Sequence, residues 1–391
     1  MLNKKGGSDM EALKKSSALE ELLNVKTGWE NPYVKEWKEE GKRIIGYICT
    51  YAPEELIHSF GMLPYRTGAA GCTATDKADV YLHRFNCTYV RCLLQMGLEG
   101  KYDFLDGFCF LNGCEQLRRL YDIWHRKVNT KFTDMITIPH VISEKRFNWY
   151  LDDIKKFAEN LSSAFGLGAI NKSKLRNSIK VYNETRSLMQ ELYELRKQEN
   201  PPISGTEAMK IAIASFTMPK EVFNELLKEA LKEIKQRPGI SDYRARLMIA
   251  GSYMDDTFLL ELIEETGGLV VADNLCFGYR HFVDTVEEIG DPLEAIARRY
   301  FWKNPCPRMQ GEFDRRLNET RKIAKEANVD GIIFERIAFC DNHGAESPME
   351  AKFLEEEGIP TLILEREYMP SDRGRLKTRI QAFIERIERR K

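Results

Sequence analysis

Arg43-Ile44-Ile45-Gly46-Tyr47-Ile48-Cys49-Thr50-Tyr51-Ala52-Pro53-Glu54-Glu55-Leu56-Ile57 is the stretch that decides the fold. Residues 43–50 form a short apolar run with β-favouring side chains, which predicts a strand. Pro53 in a first turn, with Glu54 and Glu55 beside the N-terminus, predicts a helix directly after it. The order is strand, turn, helix. Gly61-Met62-Leu63-Pro64 ends that helix and leads into another extended piece.

The same order recurs along the chain. Residues 84–99 read as a helix and 102–111 as a buried strand. Asn112-Gly113 is a turn signal, and a helix starts at Cys114. Beyond residue 240, strands are expected at 246–251, 268–273, 331–339 and 360–365. Helices are expected at 256–266, 311–327, 347–357 and 373–389. Long amphipathic runs such as 155–165 and 175–198 fill the middle, interrupted at Pro201-Pro202. Residues 1–40 are polar and helix-prone, with Trp29 and Trp37 as anchors. Alternating strands and helices imply parallel sheets covered on both faces. The expected class is α/β: two doubly wound parallel-sheet domains with a helical connector or subdomain between them and an N-terminal helical arm. The expected divisions are 1–40 for the arm, 41–146 and 240–391 for the two α/β domains, and 147–239 for the connector.

Composition narrows the function. The 391 residues carry 59 Lys+Arg against 60 Asp+Glu, a net charge of -1. No global basic field exists, which argues against a general nucleic-acid binder. No run of 18 apolar residues and no secretory signal occur, so no membrane partner is expected and a cytoplasmic protein is. Nine cysteines, an odd number, argue against a disulfide framework in a reducing compartment. The P-loop, the G-x-G-x-x-G fingerprint, H-E-x-x-H, C-x-x-C and G-x-S-x-G are all missing.

Three cysteines sit where strands should end: Cys49, Cys114 and Cys340. In open parallel sheets, ligands bind outside the carboxyl ends of the strands. If the two edges face each other, three thiols converge on one point. That donor set suits an iron–sulfur cluster with one iron open to an exogenous ligand. The alternative is that these cysteines are small buried hydrophobes. Cys92 and Cys109 lie in apolar sequence and read as core, while Cys72 and Cys306 are ambiguous loop residues. Glu54 and Glu55 follow Cys49 by one turn. Glu55 is the candidate catalytic residue, accepting a substrate proton or holding a hydroxyl leaving group; the alternative is helix N-terminal charge.

Four stretches carry a resemblance: Cys49-Thr50-Tyr51-Ala52-Pro53-Glu54-Glu55-Leu56; Asn112-Gly113-Cys114-Glu115-Gln116-Leu117-Arg118-Arg119-Leu120-Tyr121-Asp122; Asp273-Asn274-Leu275-Cys276-Phe277-Gly278-Tyr279-Arg280; and Phe339-Cys340-Asp341 through Gly358-Ile359-Pro360 to Gly374-Arg375-Leu376-Lys377-Thr378-Arg379. In these the chain resembles the catalytic subunits of the 2-hydroxyacyl-CoA dehydratase and benzoyl-CoA reductase family. The resemblance implies a [4Fe-4S] cluster held by three cysteines, which match Cys49, Cys114 and Cys340. It implies an acyl-CoA substrate, a homologous second subunit and a separate ATP-hydrolysing iron–sulfur activator, in keeping with the missing P-loop. It also implies one-electron reduction of the thioester to a ketyl radical that expels water, or electrons retained in an aromatic ring. A non-catalytic electron-relay subunit is the further alternative. Cys87 is followed by Thr88 and not by proline, a departure from the related double-cubane proteins. Arg118 and Arg119 are candidates for CoA phosphates or a partner, against solvent-facing helix charge. Residues 273–280, including Cys276, are expected at the crevice. His343 is a candidate hydrogen-bond donor to the cluster or substrate, with a surface-loop histidine as the alternative.

Overall fold

The computed structural model describes residues 17–390. The part of the expected arm before residue 17 lies outside the described residues. The first sheet contains β1 (Ile44–Tyr47), β2 (Leu63–Arg66), β3 (Gly107–Leu111) and β4 (Phe132–Ile136). All pairs are parallel and the order is β2-β1-β3-β4. The second sheet contains β5 (Ala245–Gly251), β6 (Gly268–Asn274), β7 (Gly331–Ile337) and β8 (Thr361–Arg366). It is also parallel, in the order β6-β5-β7-β8. The two halves therefore repeat one winding, and the expected fold class is the one found. β1, β3 and β5 are buried along their whole length, because helices cover both faces. Gly46 is required inside β1: a Cβ there would stand 2.6 Å from Leu105 Cδ1.

Several boundaries differ from expectation for local reasons. The strand expected at 102–111 begins at Gly107, because residues 101–104 turn. Asp106 is drawn aside there to accept from Ile44 N at 2.8 Å and from Lys38 Nζ. β4 was not anticipated. It is an edge strand whose middle residues are only half buried, so its sequence lacks an apolar run. The helix expected at 347 starts at Asp341 and encloses Pro348. Proline reads as a first-turn residue, but here it sits inside the helix. The carbonyl of Gly344, which Pro348 has no N–H to serve, accepts from Arg336 Nη1 at 3.2 Å.

Helices Glu144–Phe165, Lys172–Arg196, Gly205–Ser215 and Lys220–Gln236 link the sheets. Their ends carry strong local signals. Asn171 accepts from the amides of Ser173 and Lys174, Ser204 and Glu207 form a capping box, and Gly166 closes its helix in the left-handed region. The first of these helices packs Tyr150 and Ile154 into the core around Ile45 and Leu111. The last two pack Ile211 and Leu227 against Leu247 and Ile249. A helix unread from sequence, Pro292–Trp302, returns from the second sheet to the first core through Ile296, Tyr300 and Phe301. In the described part of the arm, Leu19 and Leu22 of helix Ala18–Leu23 join the second core. Trp37 Nε1 donates to Arg43 O at 2.9 Å, whereas Trp29 is half exposed. Among the described residues, no helix is long and apolar enough to cross a membrane.

The two sheets meet along a polar seam. Arg66 Nη1 donates to Cys276 O at 2.7 Å, and its guanidinium lies 3.7 Å from the centroid of the Phe277 ring. Tyr253 Oη donates to Thr67 O at 2.6 Å. Asp255 accepts from Ala69 N at 2.8 Å and from Tyr368 Oη at 2.6 Å.

Candidate functional site

Each sheet reverses its winding between its first and third strands, and in open parallel sheets ligands bind outside the carboxyl ends at such a reversal. Cys49 lies two residues past β1, Cys114 three past β3 and Cys340 three past β7. All three occupy strand-to-helix turns at these reversals. Cys114 and Cys340 are the cap residues of helices Glu115–Lys127 and Asp341–Glu356. Cys49 has φ 78° and Phe339, beside Cys340, has φ 64°. Non-glycine residues in the left-handed region store strain that the surrounding structure must hold.

The turns approach one another. A Cβ built on Gly113 would stand 3.6 Å from Cys49 Sγ, which puts the Cys49 thiol against the turn carrying Cys114. Burial pushes the Cys114 thiol well above its ordinary range. The Cys87, Cys340 and Cys49 thiols add to this, and the Leu117 amide opposes it. Burial likewise pushes Cys340 up to about 12, with Cys87 and Cys306 nearby and the His343 amide opposing. Cys49 is raised by burial and by Cys306. The three expected positions thus lie within electrostatic reach, as protonated thiols that metal binding would have to deprotonate. Among the described residues, no three Cys, His, Asp or Glu side chains close round a single ion. Ligands of a polynuclear group stand on separate metal atoms and are spaced more widely than ligands of one ion. The donors here are soft thiols, which suits such a group.

Behind the Cys49 turn is a buried polar network. Glu55 is fully buried, paired with Arg186, and accepts from Tyr300 Oη at 3.0 Å. Its carboxylate points into helices Lys172–Arg196 and Pro292–Trp302. Glu54 is also fully buried. It accepts from Tyr47 Oη at 2.7 Å and bonds His281 Nε2 at 2.8 Å, with Lys220 Nζ at 3.6 Å. Burial works against the Glu54 carboxylate, but Lys220 and His281 outweigh it and hold the carboxyl well below its usual range. Burial pushes His281 well below its usual range, against the pull of Glu54. The neutral ring therefore donates from Nε2 to Glu54 and accepts at Nδ1 from Thr50 Oγ1, 3.1 Å away. Lys303 Nζ donates to Thr50 Oγ1 at 2.7 Å and to Thr50 O at 3.0 Å. Burial and Arg299 depress the Lys303 ammonium, while Cys49 favours it.

The other sequence candidates are placed as follows. Arg118 and Arg119 are exposed and pair along their own helix with Glu115, and Arg119 also with Asp122. Asp273 is buried against Arg196 at 2.8 Å and Tyr193 Oη at 2.9 Å. Cys276 is half buried and its thiol lies 3.3 Å from Arg66 Nη2. His343 lies in the first turn of helix Asp341–Glu356 and not in a loop. It borders a small polar cavity with Arg280, Arg316 and Glu350. Cys92 and Cys109 are fully buried in the core. Sequence reasoning passed over Arg66, His281 and Lys303. Lys303 follows a helix left unread, and nothing local marks any of the three.

Comparison with known proteins completes the picture. The family model described as 2-hydroxyglutaryl-CoA dehydratase, D-component, matches residues 49–387. The chain is 26% identical over 362 residues to the (R)-phenyllactyl-CoA dehydratase beta subunit of Clostridium sporogenes, covering 92% of this chain and 96% of that one. It is 27% identical over 355 residues to the lactoyl-CoA dehydratase subunit beta of Anaerotignum propionicum, covering 89% and 93%. It is 26% identical over 335 residues to a benzoyl-CoA reductase subunit of Thauera aromatica, covering 83% and 86%.

Proposed function

Because the chain belongs to the 2-hydroxyglutaryl-CoA dehydratase D-component family, a family of dehydratase- and reductase-type acyl-CoA enzymes, we propose that it is the iron–sulfur subunit of a 2-hydroxyacyl-CoA dehydratase. In this reading Cys49, Cys114 and Cys340 hold a [4Fe-4S] cluster, which supplies one electron at low potential to the acyl-CoA reaction. The observation that carries the reading is the placement of these thiols on three strand-to-helix turns at the winding reversals of the two sheets. The substrate is a 2-hydroxyacyl-CoA thioester, reduced by one electron to a ketyl radical that loses water. A homologous second subunit and a separate ATP-hydrolysing activator complete the system, and two of the relatives carry the name of a beta subunit.

This chain's own residues hold the site. Lys303 braces the Cys49 turn through the Thr50 carbonyl and hydroxyl. His281 and Glu54 lock Thr50 from the other side. Burial of this network excludes water, which strengthens every charge interaction inside it. Glu55 enters as the counter-charge of Arg186 and a partner of Tyr300. Acting as a proton acceptor from substrate would require it to leave that pair.

A second reading is a subunit of an ATP-dependent aromatic-ring reductase, favoured by the equal likeness to the benzoyl-CoA reductase subunit of Thauera aromatica. The test is anaerobic purification with the homologous partner, assay of iron and acid-labile sulfide, and turnover with 2-hydroxyacyl-CoA or benzoyl-CoA. Dehydration returns its electron and consumes reductant only catalytically. Ring reduction consumes reductant in proportion to product. No iron, where a control iron–sulfur protein keeps its cluster, would overturn both readings.

A further inference from the structure

Buried cations are costly unless paired, so their partners are informative. Eleven Lys and Arg side chains are buried among the described residues, and five of them have a carboxylate partner: Arg186 with Glu55, Arg196 with Asp273, Lys220 with Glu54, Arg316 with Glu346 and Arg366 with Glu335. Arg66, Arg280 and Lys303 have none among the described residues, although they are 1%, 5% and 2% exposed. Arg66 donates to Cys276 O and Sγ, Arg280 to Gly251 O, and Lys303 to Thr50 alone. The Nε groups of Arg66 and Arg280 are buried without any hydrogen-bond partner. Arg299 and Arg308 also lack a carboxylate but donate to the carbonyls of His281, Val283 and Asp284 and of Asn112, Gly113 and Ile138, and Arg246 shows further that a missing carboxylate is not enough to mark such a site. At the opposite end of β5, it spends its donors on the carbonyls of Lys197, Gln198, Glu199, Ala327 and Asn328.

The three under-partnered cations belong together. Arg66 ends β2, Arg280 lies in helix Tyr279–Phe282 just past β6, and Lys303 follows helix Pro292–Trp302. Lys303 lies within electrostatic reach of Arg66, Arg280 and Cys49, and Arg66 within reach of Cys49. Arg66 and Lys303 lie near Cys49 and Arg280 lies near Lys303; none of the three makes a carboxylate ion pair, although Glu350 is within reach of Arg280, and an anion at the sulfurs would offset the burial and like charge that depress the Lys303 ammonium. The cluster proposed above, with its thiolates, is such an anion.

We propose that Arg66, Arg280 and Lys303 form a buried cationic collar whose charge balances the thiolate-held cluster and raises its reduction potential. The inference rests on the cluster reading. The collar residues act through charge on the cluster, so they are positioning residues. A reduced cluster carries one more negative charge than its oxidised form. Removing a collar cation therefore disfavours reduction and shifts the midpoint negative.

The experiment is a redox titration of the full chain with its partner, followed by electron paramagnetic resonance, with iron and sulfide assayed in each sample. Lys303→Met should keep its cluster and shift the midpoint negative, and Lys303→Arg should restore it. Should Lys303→Met fail to fold or lose iron, because Lys303 also braces the Cys49 turn, Arg280→Gln carries the same expectation, since Arg280 makes one backbone bond. An unchanged midpoint at wild-type iron content would overturn the collar while leaving the cluster reading intact. An unchanged midpoint with weakened acyl-CoA binding would also overturn it, assigning the cations to the CoA phosphates. A wild-type protein without iron would overturn the cluster reading and the collar with it.

Discussion

Asp255 joins the two sheets and carries a pH signature. Its carboxylate accepts from Ala69 N on one side and from Tyr368 Oη on the other. Burial, with the neighbouring Asp256 charge, raises its pKa from 3.8 to about 6, against the pull of Tyr368 and the Ala69 amide. Tyr368 itself is pushed well above its usual range and does not titrate in this window. The folded chain therefore holds a proton between about pH 4 and pH 6 that the unfolded chain has released. The stability from this proton is fully present below the unfolded pKa and is lost as pH rises through about 6. A shift of this size is worth about 3 kcal/mol in all, of which roughly 1.4 kcal/mol is lost between pH 5 and pH 7.5. Asp255→Asn has no such proton. Wild type and variant are compared by equilibrium urea unfolding across this range, so that titrations common to both cancel. Glu350, raised to about 7 by burial and by Glu346, is one of these. Wild type should lose roughly 1.4 kcal/mol relative to Asp255→Asn from pH 5 to pH 7.5. Parallel curves, or a difference growing the other way, would refute a protonated, buried Asp255.

Glu55→Gln should lose about 3–5 kcal/mol in denaturant unfolding, because it leaves Arg186 buried without a counter-charge. A variant of wild-type stability that has lost turnover would instead assign Glu55 the proton-acceptor role. Cys49→Ala, Cys114→Ala and Cys340→Ala should each lower iron and sulfide content after anaerobic purification, and Cys92→Ala should not; equal content in all four would remove the ligand assignment. Gly251→Ala should be destabilised by more than the about 1–3 kcal/mol of its backbone strain, because φ is +147° and the new Cβ would stand 1.8 Å from Glu335 O. An unchanged thermal midpoint would contradict this.

The central strands were legible because parallel strands buried on both faces must be continuous apolar runs, as in residues 44–48 and 331–334. The thiol positions followed from the strands, since each lies where a run stops. β4 was not legible because Asp134 and its neighbours face partly outward on an edge. The start of helix Asp341–Glu356 was hidden by Pro348, whose loss of a backbone bond is offset by Arg336, a residue in β7. The network behind Cys49 was hidden for a different reason. Thr50 is brought to His281 and Lys303 from more than 200 residues away in the chain. In sequence, an isolated lysine or arginine reads as solvated charge. Only the packing shows that Arg66 and Lys303 are enclosed.

The repeated winding explains why the three thiols span the seam. Each sheet offers one winding reversal, and neither sheet carries all three thiols: Cys49 and Cys114 come from the first and Cys340 from the second. On the proposed assignment, a group held by all three thiols binds only when the sheets are docked. By mass action, its binding then stabilises the docked arrangement. The seam residues serve the same end by other means. Asp255 ties Ala69 to Tyr368, and Arg66 reaches across to Cys276 while lying near Cys49. Arg66 therefore couples domain docking and thiol electrostatics in one side chain. On the proposed assignment this gives a physical reason for an arginine to be buried there without a carboxylate: a carboxylate partner would cancel positive charge that would otherwise balance an anion at the sulfurs.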